Sequence, residues 1–543
     1  MAMLTFLLLA LATPAICHAA VNTTTCANRT YTYRSLAGFG SLPSSARDKY
    51  GDTLGSIGSA VALAPGSWAW SASSQRYTGV LWAAPDRGWN TNGTLNYAPR
   101  IHKFALSFCP NASASPLHPA PPNLVLEYLD SILYTAPDGA PLTGLDADAA
   151  GAATFAGFPD LPVATYTGDG FGREGPGGRR VALDAEGLVV NADGSFWVSD
   201  EYGPYIYKFS AGGEMLEAIR PPDAYIPTRN GSESFSAASP PIFAPSALPH
   251  PTDPTAGRSN NQGFEGLTLS PSGRILSALL QSALVQDGGA SKSTARHARL
   301  VQYDVSVSPP LLIAEYVVAL PLYDNADGKE RVAAQSAILA LSATQFLVLA
   351  RDSGAGRAQA ASRSRYRQLD VFDVGDATNI LDLPDANDVD AAGGAVAPHK
   401  GKLRGDVQAA LYCPWLDFNV ESELARFGLR NGRGDDAGLL DEKWEGVVVL
   451  PVLEGARTQS EPAEAKPEPE PEDGKPEPDN EKGVDEEGEY YILAVSDNDF
   501  ITQDGHMGFG GFRYADASGA DVDTQALVFR VGLPEQDCGG VRR

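Results

Sequence analysis

Asp184-Ala185-Glu186-Gly187-Leu188-Val189-Val190 is followed by Asn191-Ala192-Asp193-Gly194 and then by Ser195-Phe196-Trp197-Val198-Ser199-Asp200. Two apolar runs flank an Asp-Gly turn. Gly takes positive φ there at no steric cost, so the stretch predicts a tight antiparallel hairpin. A third run, Tyr205 to Phe209, follows. The plan returns at Phe264-Glu265-Gly266-Leu267-Thr268-Leu269, with Ser270-Pro271-Ser272-Gly273 as its turn and Arg274 to Leu280 and Arg299 to Tyr303 as its next runs. It returns again at Trp444-Glu445-Gly446-Val447-Val448-Val449, continuing with Tyr490 to Val495, Ser496-Asp497 and Ala526 to Val531. Two copies lack the Glu-Gly pair. One has Gly58 to Leu63, Gly79 to Ala83, Asp86-Arg87 and Arg100 to Leu106; the other has Ala337 to Leu341, Phe346 to Ala350, Arg351-Asp352 and Arg367 to Phe372. A further degenerate unit is read between Leu124 and Asp148.

Repeated strand–turn–strand–strand units with little helical periodicity predict an all-β fold. A single-domain, six- or seven-bladed β-propeller accommodates them; a solenoid or two stacked sandwiches are the alternatives that strand runs leave open. The reading divides the chain into a signal peptide over 1–20, an N-terminal segment over 21–37, the propeller over 38–533 and a tail over 534–543. A Pro/Glu-rich insertion at 459–489 interrupts the third Glu-Gly unit. From Glu461 to Glu489 it holds 13 acidic and 3 basic residues and almost no apolar ones, so it cannot bury a core and is expected to be disordered. It falls in the hairpin turn, at the end of the unit away from Glu445.

The amino end reads as a secretory signal. Leu4, Phe6 to Leu9 and Leu11 form an apolar run too short to span a bilayer, and Ala15, Ala19 and Ala20 follow it. No basic residue precedes the run. Sequons begin at Asn22, Asn28, Asn92, Asn111 and Asn230, which fits an exported glycoprotein. Cys17 would leave with the signal. Cys26, Cys109, Cys413 and Cys538 remain, and oxidising export favours disulfides among them. Four cysteines allow three connectivities; a Cys26–Cys538 bond would tie the chain ends together. No later segment looks transmembrane. The net charge of −26 argues against nucleic acid as a partner.

Spacing carries the chemistry. In an antiparallel hairpin the start of one strand lies beside the end of the next. Glu186 and Asp200 therefore share one end of their unit, as do Glu265 and Gln281, and Glu445 and Asp497. Radial closure would bring Glu186, Glu265 and Glu445 to one mouth with Asp200, Asp352 and Asp497. Confined carboxylates resist ionisation unless a cation intervenes, and oxygen donors suit Ca²⁺. Arg87, Arg351 and Lys443 come from the same loops and suit a phosphate or another oxyanion. Each residue has a plainer role open to it: the Glu-Gly pairs as satisfied structural carboxylates, Asp86-Arg87 and Arg351-Asp352 as turn formers. Scattered histidines lack zinc spacing, no Gly-x-Ser-x-Gly elbow is present, and the glycine-rich loops near Gly168 and Gly505 lack a βαβ context.

Ala84-Pro85-Asp86-Arg87-Gly88, Glu186-Gly187-Leu188 with Ser199-Asp200-Glu201-Tyr202-Gly203-Pro204, Phe264-Glu265-Gly266-Leu267, Arg351-Asp352 and Trp444-Glu445-Gly446 resemble the phytase-like domain, also called esterase-like activity of phytase. The likeness runs from about Gly38 to Val531. It implies a propeller and a phosphoester-directed hydrolase, and more distantly resembles calcium-dependent propeller phytases. The expected site has Glu186, Asp200, Glu265, Asp352, Glu445 and Asp497 around Ca²⁺, Arg87 and Arg351 on the oxyanion of a small phosphoester, and Glu201 as general base. A lactonase or carboxylesterase, and a ligand-binding propeller without turnover, are the rival readings.

Overall fold

A computed structural model of the chain describes residues 20–389, 392–453 and 487–534. Residues 1–19 of the expected signal peptide, 459–486 of the expected insertion and 535–543 of the expected tail lie outside the described residues, as do Cys17 and Cys538.

Almost all regular structure is β, in many small antiparallel sheets. The first has Ala60–Leu63, Arg76–Ala84, Arg100–Phe108 and Leu124–Leu133, with Ala69–Ser71 added beside Arg76–Ala84. The second has Ala185–Val190, Phe196–Asp200, Ile206–Phe209 and Met215–Ile219. The third has Phe264–Leu269, Ile275–Leu280, His297–Asp304 and Leu311–Ala319. The fourth has Ala334–Ala340, Gln345–Arg351, Arg367–Asp373 and Leu411–Asp417. The fifth runs Lys443–Pro451, Glu487–Asp497, Thr524–Pro534, Arg29–Leu42 and Asn22–Cys26. A three-stranded sheet, Ala152–Ala153, Leu161–Tyr166 and Gly178–Val181, and three two-stranded ribbons complete the described strands.

Five of the repeat units read from sequence thus correspond to the five larger sheets. Leu124 to Asp148 does not form a unit of its own; its first ten residues are the fourth strand of the first sheet. The segment 21–37, set apart in the sequence reading, is built into the fifth sheet, where Thr32 to Leu42 pairs with Thr524 to Gly532. The fifth sheet therefore joins both ends of the described chain. Its second strand starts at Glu487, three residues before Tyr490, where folded sequence was expected to resume.

The five sheets pack in sequence through their opening strands. Ala60–Leu63 contacts Ala185–Val190, which contacts Phe264–Leu269; that strand contacts Ala334–Ala340, which contacts Lys443–Pro451, and Lys443–Pro451 contacts Ala60–Leu63 again. An apolar layer fills each junction. Trp82 and Phe196 share one cluster; Trp197 and Leu276 share the next; Leu279 and Val348, Leu349 and Trp444, and Leu493 and Leu81 mark the other three. Each fully buried large apolar side chain contributes about 1.5–3 kcal/mol, so these junctions dominate stability.

Small residues allow the opening strands to approach closely, and a disulfide links two sheets at their outer edges. The Gly of each Glu-Gly pair faces the neighbouring sheet: a Cβ on Gly187 would lie 2.6 Å from Leu267 Cβ, one on Gly266 2.9 Å from Ile338 Cγ1, and one on Gly446 2.9 Å from the Gly58 carbonyl oxygen. The Cys26–Cys413 disulfide then ties the outer strand of the fifth sheet to the outer strand of the fourth. Cys109 makes no disulfide among the described residues.

Gly187→Ala is expected to cost about 1–3 kcal/mol by overpacking this junction, read as a lower midpoint in guanidinium unfolding. The Cys26→Ala/Cys413→Ala double variant is expected to lose about 2–5 kcal/mol, because the bond closes a sequence separation of 387 residues. An unchanged unfolding midpoint in either case would contradict the packing described.

Candidate functional site

A β-bulge places each glutamate. Along the second sheet, Ala185 pairs with Asp200 and Gly187 with Ser199, leaving Glu186 as the extra residue. The same shift leaves out Glu265 between Phe264 and Gly266, and Glu445 between Trp444 and Gly446. Ser336 is the counterpart in the fourth sheet. A bulge takes its extra residue off the ladder and re-aims its side chain. The glycine that follows keeps the strand in contact with its neighbour, so Glu and Gly act as one unit.

The result is a shared mouth. A cavity of about 30 Å³ is lined by residues of all five opening strands or their leads, including Ser59, Glu186, Glu265, Ala337 and Glu445. Around it stand residues from the ends of the second strands, Arg351 and Asp497, and from the starts of opening strands and the loops beside them. Lys443 Nζ bonds Asp497, lies 2.9 Å from Asp499 and 3.6 Å from Glu445. Arg351 pairs with Glu445 across the junction of the fourth and fifth sheets. Arg87 Nη1 lies 3.3 Å from Asp184, and the guanidinium sits over the Tyr202 ring at 5.8 Å. Ser56 donates its hydroxyl to Asp497 at 2.5 Å.

Charge is out of balance here. Asp86, Asp184, Glu186, Glu201, Glu265, Glu445 and Asp497 are all buried, and Asp499 is half-buried, against the cations Arg87, Arg351 and Lys443. Burial, then the charges of Glu265, Asp184, Glu201 and Glu445, pushes the Glu186 carboxyl well above the usual range. Burial and then Glu445 do the same to Glu265, and burial and then Asp497 to Asp86. Glu201 is pushed up to about 8 by burial and by Asp184. Burial raises Glu445 to about 7 although Lys443 and Arg351 oppose it. Asp497 is the exception: burial raises it, but Lys443 and the Ser56 hydroxyl outweigh burial and leave it low.

Several of these oxygens have no hydrogen-bond partner. They are Oε2 of Glu186 and Glu265 and both carboxylate oxygens of Glu201; Oε2 of Glu445 and Oδ2 of Asp184 have only ion pairs, with Lys443 at 3.6 Å and Arg87 Nη1 at 3.3 Å, and Arg87 Nε is without an acceptor. Unpaired buried charge is costly unless a ligand completes it. Two groups bring three carboxylate oxygens within 4.8 Å of one another: Asp86, Asp184 and Glu186, and Asp86, Asp497 and Asp499, with Asp86 common to both.

The structure gathers Glu186, Glu265, Glu445, Asp497, Arg351, Arg87 and Glu201 at this mouth. Asp200 and Asp352 are placed differently. The Asp200 carboxylate accepts from the amides of Asp184 at 3.0 Å, Tyr202 at 2.9 Å and Gly203 at 3.0 Å, and fixes the loop that carries Glu201. Asp352 accepts from the Ser364 hydroxyl at 2.7 Å and the Arg365 amide at 2.5 Å. From sequence, Asp184 carries no role; Asp497-Asn498-Asp499 is a calcium-loop fragment that lacks the EF-hand spacing, and Asp86 is a turn residue beside Arg87 within a family motif. A larger cavity of about 500 Å³ opens beside the mouth between loops of the third and fourth sheets, with Gln281 and Arg351 in its wall.

Residues 70–459 match the family described as phytase-like, esterase-like activity of phytase. A protein of Arthroderma benhamiae described as an uncharacterized secreted protein is 46% identical over 490 residues, spanning 89% of this chain and 90% of its own length. Among solved structures, a luciferin-regenerating enzyme aligns over 87% of this chain and 92% of its own at 8% identity and a TM-score of 0.24. The Cps50 (Swd1) β-propeller domain of Myceliophteria thermophila aligns over 53% of this chain and 80% of its own at 10% identity and a TM-score of 0.17. Likenesses at these scores carry no weight for activity.

The raised carboxyls fix a pH dependence. Glu201 and Glu445 hold protons up to about 8 and about 7, whereas the unfolded chain releases them near 4.5. The folded state binds more protons in that window, so stability falls as pH rises from about 5 to about 8. Chelator-treated protein is expected to show a falling melting temperature across that range, with a flatter profile in Glu201→Gln. A profile rising toward pH 8 would contradict the electrostatics described.

Proposed function

The chain belongs to the phytase-like family, and from that premise we propose that it is a secreted, cation-assisted hydrolase of small anionic esters, with phosphoesters as its substrate class. We propose further that the five larger sheets are the blades of a five-bladed propeller closed between the first and fifth, fewer than the six or seven expected from sequence. The return contact from Lys443–Pro451 to Ala60–Leu63 supports that closure. The chain is a secreted protein, in keeping with its Cys26–Cys413 disulfide. Among the described residues no helix is long and apolar enough to cross a membrane.

One observation supports the activity: glutamates from three sheets line one mouth, Glu186 and Glu265 each with an unpartnered oxygen and Glu445 paired with Arg351 and Lys443 beside it. The donor set fits Ca²⁺, since the side chains are oxygen donors of a hard cation's kind and no histidine or cysteine is among them. Asp86, Asp184 and Glu186 would hold one ion, and Asp86, Asp497 and Asp499 are the second candidate group. Bound there, the cation would supply positive charge against the negative charge that develops on a phosphoryl group. Of the six carboxylates expected as ligands, Glu186, Glu265, Glu445 and Asp497 keep a role at the mouth, and Asp200 and Asp352 serve as loop pins.

The protein's own groups divide the remaining work. Arg87 has an unpartnered Nε donor for an anionic oxygen, and Arg351 lies in the wall of the larger cavity while pairing with Glu445 at the mouth. Two arginines can hold a phosphoryl group through charge-assisted hydrogen bonds and orient it for displacement. Glu201 has both oxygens unpartnered and a proton affinity matched to neutral pH, which suits it to accept a proton from water. Its loop is held by Asp200 and by the buried Arg258 guanidinium, which donates to the Tyr202 carbonyl at 2.7 Å.

Purified protein assayed on aryl and alkyl phosphomonoesters is expected to turn over and to lose activity after exhaustive EGTA treatment, with recovery on adding Ca²⁺. Glu201→Gln is expected to lower kcat by about 100-fold or more while the fold is kept. Equal activity after chelation would remove the cation from the reaction. Turnover of lactones or acyl esters alone would replace phosphoesters as the substrate class.

A further inference from the structure

The two carboxylate groups at the mouth share Asp86 but differ in what already fills them. Asp497 has no lone pair to spare. Its Oδ1 accepts from the Ser56 hydroxyl at 2.5 Å and the Asp499 amide at 2.6 Å; its Oδ2 accepts from Lys443 Nζ and from the Ser59 hydroxyl at 3.3 Å. These bonds reach the capacity of an ionised carboxylate, about four lone-pair sites. The same ammonium donates to Asp499 at 2.9 Å and lies 3.6 Å from Glu445. A cation of the protein's own thus sits on two of the three acids in this group. The other group is open. Glu186 Oε2 has no partner, and Asp184 Oδ2 faces only the Arg87 guanidinium at 3.3 Å.

Both groups grow from one place in the repeat. Asp184 stands two residues before Glu186, and Lys443 two before Glu445. Across the hairpin, Asp184 lies beside Glu201, whose amide donates to the Asp184 carbonyl at 3.0 Å, and Lys443 pairs with Asp497. The second sheet therefore sets acid beside acid, and the fifth sets ammonium beside acid. A divalent ion added to the fifth-sheet group would lie against that ammonium, and like charges so close repel.

We infer that the mouth takes one exchangeable divalent cation, at Asp86, Asp184 and Glu186, and that the Lys443 ammonium occupies the place of a second. The inference rests on the cation site proposed above and decides its stoichiometry. Two-metal hydrolases set their ions about 3.5–4 Å apart, as a clamp on the attacking and leaving oxygens. Here one of the two charges belongs to a lysine, which no chelator removes. The reaction then has a single exchangeable ion, and Lys443, Arg87 and Arg351 supply the remaining positive charge at the mouth.

Calorimetric titration of chelated protein with Ca²⁺ counts the sites without turnover. The wild type is expected to bind one ion per chain, and Lys443→Met two. Two carboxylate variants ask the same with the lysine in place, should its loss unfold the chain. Asp184→Asn is expected to weaken the single ion by about tenfold or more, and Asp499→Asn to weaken it less. Two ions in the wild type, one ion in Lys443→Met, or a larger loss in Asp499→Asn than in Asp184→Asn would overturn the role of Lys443 and leave the cation site standing. A wild type that binds no ion would sink the cation site, and this inference with it.

Discussion

Carboxylates that cannot all be charged at once are the constraint on which the rest of the structure depends. Glu186, Glu265 and Glu445 reach one small cavity from three separate sheets, and Asp184 stands close enough to Asp86, Glu186 and Glu201 to raise their proton affinity. Packing at the five junctions holds them there. The apolar layers between sheets therefore impose an arrangement that electrostatics alone would disperse. Such a site is relieved by protons, by basic side chains or by a bound cation. Arg87, Arg351 and Lys443 offset part of the charge, and unpartnered oxygens remain.

Backbone geometry turns this constraint into a site. The bulge aims each glutamate at the mouth, and the next glycine lets the adjoining strand approach to a distance that a methyl group would forbid. Replacing either member of the pair affects the other's task. That coupling explains why a two-residue pattern recurs in three units while the rest of each unit varies. Asp200 and Asp352 do a second kind of work, folding the loops after the second strands by accepting backbone amides.

Much of this was legible in the sequence, and the limits have physical causes. The repeated runs gave the all-β class and the strands of five sheets, because apolar alternation and turn residues are local signals. The Glu-Gly positions were legible as one end of a hairpin. The difference between a carboxylate that faces the mouth and one that bonds amides was not, since Asp200 and Asp497 occupy equivalent strand ends and differ in the loop that follows. Asp184 opens the first repeat and Asp499 closes an Asp-Asn-Asp fragment, but three residues without an EF-hand's spacing do not specify a cation site. The pairing of Arg29–Leu42 with Thr524–Pro534 joins residues about 490 positions apart, which no local pattern records. Cys26 with Cys413 was one of the connectivities that cysteine spacing cannot separate.

The central claim is that buried, proton-holding carboxylates at one mouth form a cation site. Calcium titration of chelated protein at pH 7, repeated in buffers of different ionisation enthalpy, tests it most directly. The Asp86 and Glu186 carboxyls, pushed well above the usual carboxylate range by burial and by neighbouring carboxylates, must release protons to take up a cation, so the observed heat should change with buffer and correspond to net proton release. Calcium binding with no buffer dependence, or no binding at all, would contradict the account.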